Sequence, residues 1–194
     1  MSWLIIKLNL IFHLLCVLGL YIFGVGPALQ VVSKLFQESQ LDYKEVTFKR
    51  MFSLWRIYFK RSNYQFYFFL GLFLFVTYNL YLSIQMIGFF WLMLDFLLVT
   101  MLVSLFVCYQ YIIVYEGYYV MSFLQSIKLA IISLFLNFRT FWKILIGISI
   151  ILGITWYMKG LFIFGTISLI LAWNVIATQK DREFIDWKRQ EYVQ

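Results

Sequence analysis

The sequence has little charge and few of the residues that build catalytic or metal sites. Only 13% of its 194 residues are charged, and it contains one proline, one histidine and two cysteines. A single histidine excludes a metal site built from several histidines. Cys16 and Cys108 lie in separate apolar runs, so they offer neither a disulfide framework nor metal-ligand spacing. Phosphate loops, nucleophile elbows and paired carboxylates are also missing, and we expect a protein that is not an enzyme and needs no cofactor.

Long apolar runs take the place of these features. The chain is 63% apolar, whereas a soluble domain is about half apolar and about a quarter charged. Because a transmembrane helix needs roughly 20 apolar residues, we predict five spans, over 4–25, 64–84, 89–114, 141–157 and 161–177. Such uniform runs exclude a β-barrel, whose strands alternate in polarity over about ten residues. The sequence therefore predicts an all-α polytopic membrane protein with a single transmembrane domain over residues 1–194.

Lysine and arginine are distributed unevenly along the chain. Fourteen of the sixteen basic residues follow the first span, lie between the third and fourth spans, or belong to the C-terminal tail. Since basic loops remain in the cytoplasm, we expect an outside N-terminus and a cytoplasmic C-terminus. Basic residues next to spans attract the anionic lipid of the inner leaflet. This explains the net charge of +7 without a nucleic-acid partner.

The only proline, Pro27, follows Gly26 in the stretch IFGVGPALQVVSKLF. The preceding apolar run is too long for a cleaved signal peptide, so we expect the first span to be retained. Glycine suits the position that ends a helix, and proline suits a first turn, where its missing N–H is no loss. We predict a helix corner at these two residues and a short helix over 27–36 along the cytoplasmic surface. A proline kink within one long helix is the alternative.

Residues 46–62 and 121–137 have helical periodicity and come directly before predicted spans. In the first stretch, aromatic residues gather on one face and basic residues on the other, which is typical of a helix lying flat on a membrane. We predict that both stretches form interfacial amphipathic helices. The first is either an anchor held by lipid or a surface on which a partner docks. The candidate residues of that surface are Lys49, Arg50, Trp55, Arg56, Lys60 and Arg61.

Polar residues inside the predicted spans form a second candidate site. Asp95 is the only acid inside a span, and His13 and Asn79 lie in two other spans. Ionisable groups in hydrocarbon indicate function by default, so these residues could form a proton relay or a polar substrate site if the helices bring them together. The structural alternatives are a histidine bonded to a backbone carbonyl, an aspartate that reaches Lys7 or Lys159, and an asparagine that joins two helices.

Three segments of the chain resemble the YesL family of bacterial membrane proteins, a family described as a domain of unknown function. They are FGVGPALQVV after the first span, the basic aromatic helix ending in FKRSN, and NFRTF at the start of the fourth span. The connector QESQLDYKEV is polar and irregular, which departs from the family pattern. No catalytic or binding residues are established for the family, so none is carried over to this chain.

The resemblance implies five spans in a bacterial cell membrane and a frequent genetic association with carbohydrate ABC importers, glycan-degrading enzymes and two-component regulators. We therefore expect a non-catalytic accessory membrane subunit that packs against other membrane subunits, such as the permeases of a carbohydrate ABC importer. The alternatives are a stand-alone transporter or channel that uses Asp95 and His13, and a membrane regulator of a sensor kinase.

Overall fold

The computed structural model describes residues 2–39 and 46–191, and most of these residues are helical. Neither range contains a β-strand, and the predicted all-α fold is confirmed. Within the connector 37–46, residues 40–45 lie outside the described residues. The helices of the described ranges are α1 Ser2–Leu18, α2 Val25–Glu38, α3 Phe48–Ser83, α4 Phe89–Tyr118, α5 Phe123–Leu136, α6 Phe138–Tyr157, α7 Leu161–Phe164, α8 Thr166–Ala177 and α9 Gln179–Glu191.

Three of these helices, α3, α4 and α6, are long and apolar enough to cross a membrane. The predicted first and fifth spans fall on shorter elements. Helix α1 has 17 residues, which at 1.5 Å per residue is about 25 Å, against a hydrocarbon core of about 30 Å. The predicted fifth span is divided between α7 and α8. The class of membrane protein is thus clear from the fold, while the count of five spans stays a prediction.

The first helix ends at Leu18, so the predicted span boundary at residue 25 is corrected. Residues 19–24 form turns in which Leu20 and Tyr21 have positive φ angles of 53° and 59°. A left-handed conformation costs a non-glycine residue roughly 1 to 2 kcal/mol, and burial of the flanking helices offsets that cost. The corner therefore precedes Gly26 and Pro27, and both residues lie in the first turn of α2.

Gly26 serves close packing instead of ending a helix. A Cβ at this position would lie 2.8 Å from the carbonyl oxygen of Ser62 and 3.0 Å from the Cβ of Phe66, both on α3. The absence of a side chain therefore allows α2 and α3 to approach closely. Pro27 fits the first turn as expected from its missing N–H.

Helix α2 lies inside the bundle, against α1, α3, α4 and α8. The predicted surface helix over 27–36 is therefore corrected to a buried one. Val31, Val32 and Leu35 are enclosed, and Gln30 Nε2 and Lys34 Nζ donate to the carbonyl oxygens of Ile113 and Gly117 at 3.2 and 2.6 Å. Small apolar side chains and sparse charge allow this helix to be covered on several sides.

The predicted amphipathic helix over 46–62 and the span over 64–84 form one helix, α3, of 36 residues. No glycine or proline occurs between Phe48 and Leu70, so nothing in the sequence interrupts the hydrogen-bond ladder. At 1.5 Å per residue α3 is about 54 Å long, and its N-terminal half extends beyond the hydrocarbon. This half packs antiparallel to α2, since Gly26 contacts Ser62 while Glu38 pairs with Arg50.

Helix α5 runs across α4 and is separate from α6. Ser126 and Ser133, about two turns apart on α5, bond to the side chains of consecutive α4 residues, Glu116 and Tyr115, at 3.0 and 2.8 Å. A capping box at Ser122 starts the helix, which closely follows the predicted range of 121–137. Asn137 separates α5 from α6 with a non-helical φ of −139°, and α6 begins at Phe138 rather than at the predicted residue 141.

Candidate functional site

The α3–α4 hairpin has little cover from the rest of the chain. We define the outer hairpin as residues 66–83 of α3, the turn 84–88, and residues 89–104 of α4. In an apolar 18-residue stretch of each helix, 17% of the residues of α3 and 6% of the residues of α4 are buried. A helix that is apolar all round is covered by lipid or by other protein helices. The outer hairpin is therefore a surface for lipid or for other membrane helices.

Asp95 lies on this outer hairpin and is partly buried. Its Oδ1 atom is shielded from solvent and has no hydrogen-bond partner. Within residues 2–39 and 46–191, Asp95 makes no hydrogen bond and no ion pair, so the predicted alternative of a contact with a lysine is not realised there. Placing an aspartate at the centre of a membrane helix costs about 2.5 to 3.5 kcal/mol on insertion scales. Asp95 is the seventh residue of α4, nearer the end of the helix than its centre, and the described residues give its carboxylate no compensating contact.

His13 and Asn79, the other predicted members of an intramembrane site, bond elsewhere. His13 Nε2 lies 3.3 Å from the carbonyl oxygen of Phe162, and the two rings pack with centroids 5.6 Å apart. Asn79 Nδ2 donates to the carbonyl oxygen of Phe75 on its own helix at 2.7 Å. Among the described residues, no hydrogen bond joins either side chain to Asp95. The structure therefore does not assemble the three residues into a proton relay or substrate site.

Asn9, on α1, closes a break between α7 and α8. Its Nδ2 donates to the carbonyl oxygens of Phe162 and Ile163 at 3.0 and 2.6 Å, and its Oδ1 accepts from the N–H groups of Ile167 and Ser168 at 3.0 and 3.2 Å. Broken membrane helices often use such free backbone groups to bind ions or substrates. Here a fully buried side chain occupies them, so the break is a structural joint.

Glu116, near the end of α4, is the centre of a buried polar cluster that the sequence did not reveal. Arg61 Nε and Ser126 Oγ donate to its Oε1 at 3.0 Å each, and Gln65 Nε2 donates to the same oxygen. The second oxygen, Oε2, is buried without a hydrogen-bond partner. The cluster joins α3, α4 and α5. Because a buried carboxylate is tolerated when it is paired and hydrogen-bonded, the cluster fixes the crossing of these three helices.

The six residues of the predicted docking surface on α3 have different environments in the fold. Arg50 and Arg61 form ion pairs with Glu38 and Glu116, and Trp55 packs against the core. Four of the six candidates are exposed, namely Lys49, Arg50, Arg56 and Lys60, and of these Arg50 is paired with Glu38. The Arg50 guanidinium, through its hydrogen bonds, lowers the pKa of Glu38 below its usual value, although partial burial opposes this effect. The Arg61 pair lies in the buried cluster around Glu116, whereas the Arg50 pair with Glu38 lies at the surface.

Asp181, at the start of α9, anchors the C-terminal helix to the bundle. This carboxylate is buried and accepts from Tyr111 OH at 3.1 Å, from Asn137 Nδ2 at 2.8 Å and from Thr140 Oγ1 at 3.3 Å. These donors come from α4, from the α5–α6 junction and from α6. The neighbouring Arg182 lies over the ring of Tyr118, with its Cζ 3.8 Å from the centroid. Both contacts are structural and tie α9 to the end of α4.

An apolar cleft separates the outer hairpin from α5 and α6. Its volume is ≈ 940 Å³, and its walls are formed by Phe68, Phe69 and Leu72 of α3, by α4 between Phe96 and Cys108, by α5 between Ile127 and Phe135, and by Phe138, Phe141, Trp142 and Leu145 of α6. Ligand pockets commonly have volumes of about 300 to 1,000 Å³. No cluster of three or more His, Cys, Asp or Glu side chains that could hold a metal occurs anywhere in the described residues.

The fold and these sites define an all-α integral membrane protein whose polar clusters join its own helices. Residues 5–80 match the model of a family described as "Protein of unknown function, DUF624". The YesL proteins are membrane proteins of the DUF624 type, so the resemblance found in the sequence is confirmed for this segment. No curated protein and no solved structure matches the chain.

Proposed function

We propose that this protein is a non-catalytic accessory membrane subunit whose outer hairpin packs against the transmembrane helices of another membrane protein. The permease subunits of a carbohydrate ABC importer are the partner that the YesL resemblance suggests. We further propose that it resides in a bacterial cell membrane with its N-terminus outside and its C-terminus in the cytoplasm, as the distribution of basic residues predicts. Cysteine labelling at the two termini, performed on intact cells, would test that orientation.

The observation that carries the proposal is the unpartnered carboxylate of Asp95 on a hairpin with little cover. Oδ1 is shielded within the chain, so a second protein would reach this carboxylate at Oδ2, where a basic or hydrogen-bonding side chain would compensate its cost in the membrane. Interhelical polar contacts in membranes contribute roughly 0.6 kcal/mol on average and up to about 1.7 kcal/mol. A partner helix that supplies such a group would therefore cover the apolar hairpin. The polar contact would also fix the position along the hairpin at which the partner helix packs.

The proposal is tested by purifying the full chain in mild detergent and quantifying the membrane proteins retained with it. We expect permease subunits in the wild-type sample and a loss of about tenfold for Asp95→Leu, because the partner's polar group is then left unpaired. Thr77→Val is the matched control, since Thr77 is an exposed polar residue of the same hairpin that bonds only to the carbonyl oxygen of Phe73 on its own helix. A pure monomer or homodimer in every mild detergent would refute the proposal.

The exposed basic residues on α3 support a second contact, to a cytoplasmic protein. Lys49, Arg56 and Lys60 belong to the half of α3 that extends beyond the hydrocarbon. An ATPase subunit of the importer and a sensor kinase are the two partners that the family resemblance suggests. A photo-crosslinking residue in place of Arg56 distinguishes them, because a crosslink to the ATPase supports the accessory subunit and a crosslink to a kinase supports a regulator.

The stand-alone transporter has less support than the accessory subunit, because Asp95 and His13 are not brought together and Asn9 fills the break between α7 and α8. Under that alternative, the purified chain in liposomes would take up a sugar by itself and Asp95→Asn would abolish the uptake. Uptake only in the presence of permease subunits supports the accessory role.

A further inference from the structure

We propose that the apolar cleft between the outer hairpin, α5 and α6 binds one anionic diacyl phospholipid, with its acyl chains in the cleft and its phosphate at Lys128 and Arg139. Asp95 does not line the cleft, although the outer hairpin forms one of its walls, and the test below is made on the purified chain without a protein partner. The proposal concerns one specifically bound lipid, as distinct from the bulk lipid that surrounds the protein.

The lining of the cleft favours hydrocarbon. Thr100 and Ser104 are the only hydroxyl-bearing residues among its lining residues, and Thr100 donates its hydroxyl to the carbonyl oxygen of Phe96. Phe138, Phe141 and Trp142 form an aromatic wall with ring centroids 5.5 to 5.9 Å apart. A cleft of ≈ 940 Å³ is at the upper end of the usual range of ligand-pocket volumes, about 300 to 1,000 Å³.

The charge at one end of the cleft favours an anionic headgroup. Helix α5 crosses α4 near Tyr115 and Glu116 and forms the floor of the cleft at that end. Lys128 directly follows the lining residue Ile127 in the sequence, Arg139 directly follows the lining residue Phe138, and both basic residues are exposed. The sequence from 117 to 180 contains no aspartate or glutamate. Helices α5 and α6 therefore carry no acid, and the acid that packs against their junction, Asp181 of α9, accepts hydrogen bonds from Tyr111, Asn137 and Thr140.

These two properties together fit a phospholipid better than a protein helix. A transmembrane helix has a diameter of about 10 to 12 Å with side chains and would need a broad groove, whereas acyl chains are slender and adapt to an irregular cleft. One basic residue near a membrane surface raises the affinity for an anionic lipid by a factor of about ten or less. Two such residues beside one apolar cleft therefore select an anionic lipid over a neutral one.

The test uses the full chain purified in mild detergent, with native mass spectrometry to count retained lipids. The probes are phosphatidylglycerol and phosphatidylcholine with identical acyl chains. We expect one phosphatidylglycerol to be retained, and Lys128→Ala combined with Arg139→Ala to weaken retention about tenfold or more. The matched control is Lys49→Ala combined with Lys159→Ala, which removes the same charge at two exposed residues that are not adjacent in the sequence to any residue lining the cleft, and it should leave retention unchanged.

A second variant tests the acyl-chain part of the site. Ser104→Phe places an aromatic ring in the cleft, and it should reduce the retention of both lipids while circular dichroism shows the helix content of the wild type. Equal retention of the two lipids, or retention unaffected by Ser104→Phe, would overturn the proposal. A crosslink in native membranes from position 104 to a protein helix, with no lipid retained, would also overturn it.

Discussion

Asn9→Leu is the substitution that the structure predicts to be most damaging for its size. The change keeps the shape of the side chain but removes five hydrogen bonds. Two go to the carbonyl oxygens of Phe162 and Ile163, two come from the N–H groups of Ile167 and Ser168, and one comes from the Ser168 hydroxyl. Asn9 is fully buried, so water does not replace these partners. Interhelical hydrogen bonds in membranes average roughly 0.6 kcal/mol, and buried groups left unpaired cost about 1 to 3 kcal/mol.

We therefore expect Asn9→Leu to lower the free energy of unfolding by about 2 to 4 kcal/mol, which is a change of roughly 30-fold or more in the unfolding equilibrium. Unfolding in mixed detergent, followed by circular dichroism, measures this difference. The control is Asn79→Leu, because Asn79 bonds only to its own helix at the carbonyl oxygen of Phe75. If both substitutions destabilise the protein equally, Asn9 does not hold the break together and the reasoning fails.

Two further predictions concern helix packing. Gly26→Ala should destabilise the protein by about 1 to 3 kcal/mol, because the added Cβ would lie 2.8 Å from the carbonyl oxygen of Ser62. Gly71→Ala is the control in the same unfolding assay. A Cβ at Gly71 has no atom within 4 Å, so this change should be neutral or slightly stabilising. Glu116→Gln should cost about 2 kcal/mol by leaving Arg61 without its carboxylate. Adding Arg61→Met should recover part of that loss in a double-mutant cycle, and strictly additive effects would contradict the ion pair.

The Glu116 cluster gives the outer hairpin a fixed base. Arg61 and Gln65 come from α3, Glu116 from α4 and Ser126 from α5. The contact between the Phe69 and Tyr109 rings, with centroids 5.5 Å apart, continues this α3–α4 interface. The parts of α3 and α4 beyond it make few contacts with the remaining helices. A hairpin that is rigid at its base and free at its end is suited to pack against a second membrane protein.

The two asparagine positions show how far local sequence could predict the fold. Asn63-Tyr64 and Asn137-Phe138 both separate an amphipathic stretch from an apolar run, yet α3 continues through Asn63 while the chain breaks at Asn137. The difference is not local, because Asn137 Nδ2 is held by Asp181 of α9. A prediction based on the dipeptide alone could not distinguish the two outcomes.

The sequence by itself determined the class of the protein and the rough positions of most helices. Apolar runs of this length must lie in lipid, and lipid requires that backbone polar groups be satisfied within helices. The placement of α5 and the presence of a helix after Pro27 also followed from local signals, namely periodicity and the conformational limits of proline. These properties depend on residues close in the chain, and a single sequence records them directly.

Only the tertiary structure decided which polar residues act together. Asn9 meets backbone groups more than 150 residues away, and Arg61, assigned to a surface by its periodicity, reaches Glu116 through the crossing of three helices. The burial of α2 likewise depends on the four helices that surround it. Hydrogen bonds and ion pairs are effective only within about 3 to 4 Å. Helix packing determines which remote residues come this close, and helix packing cannot be read directly from the order of residues along the chain.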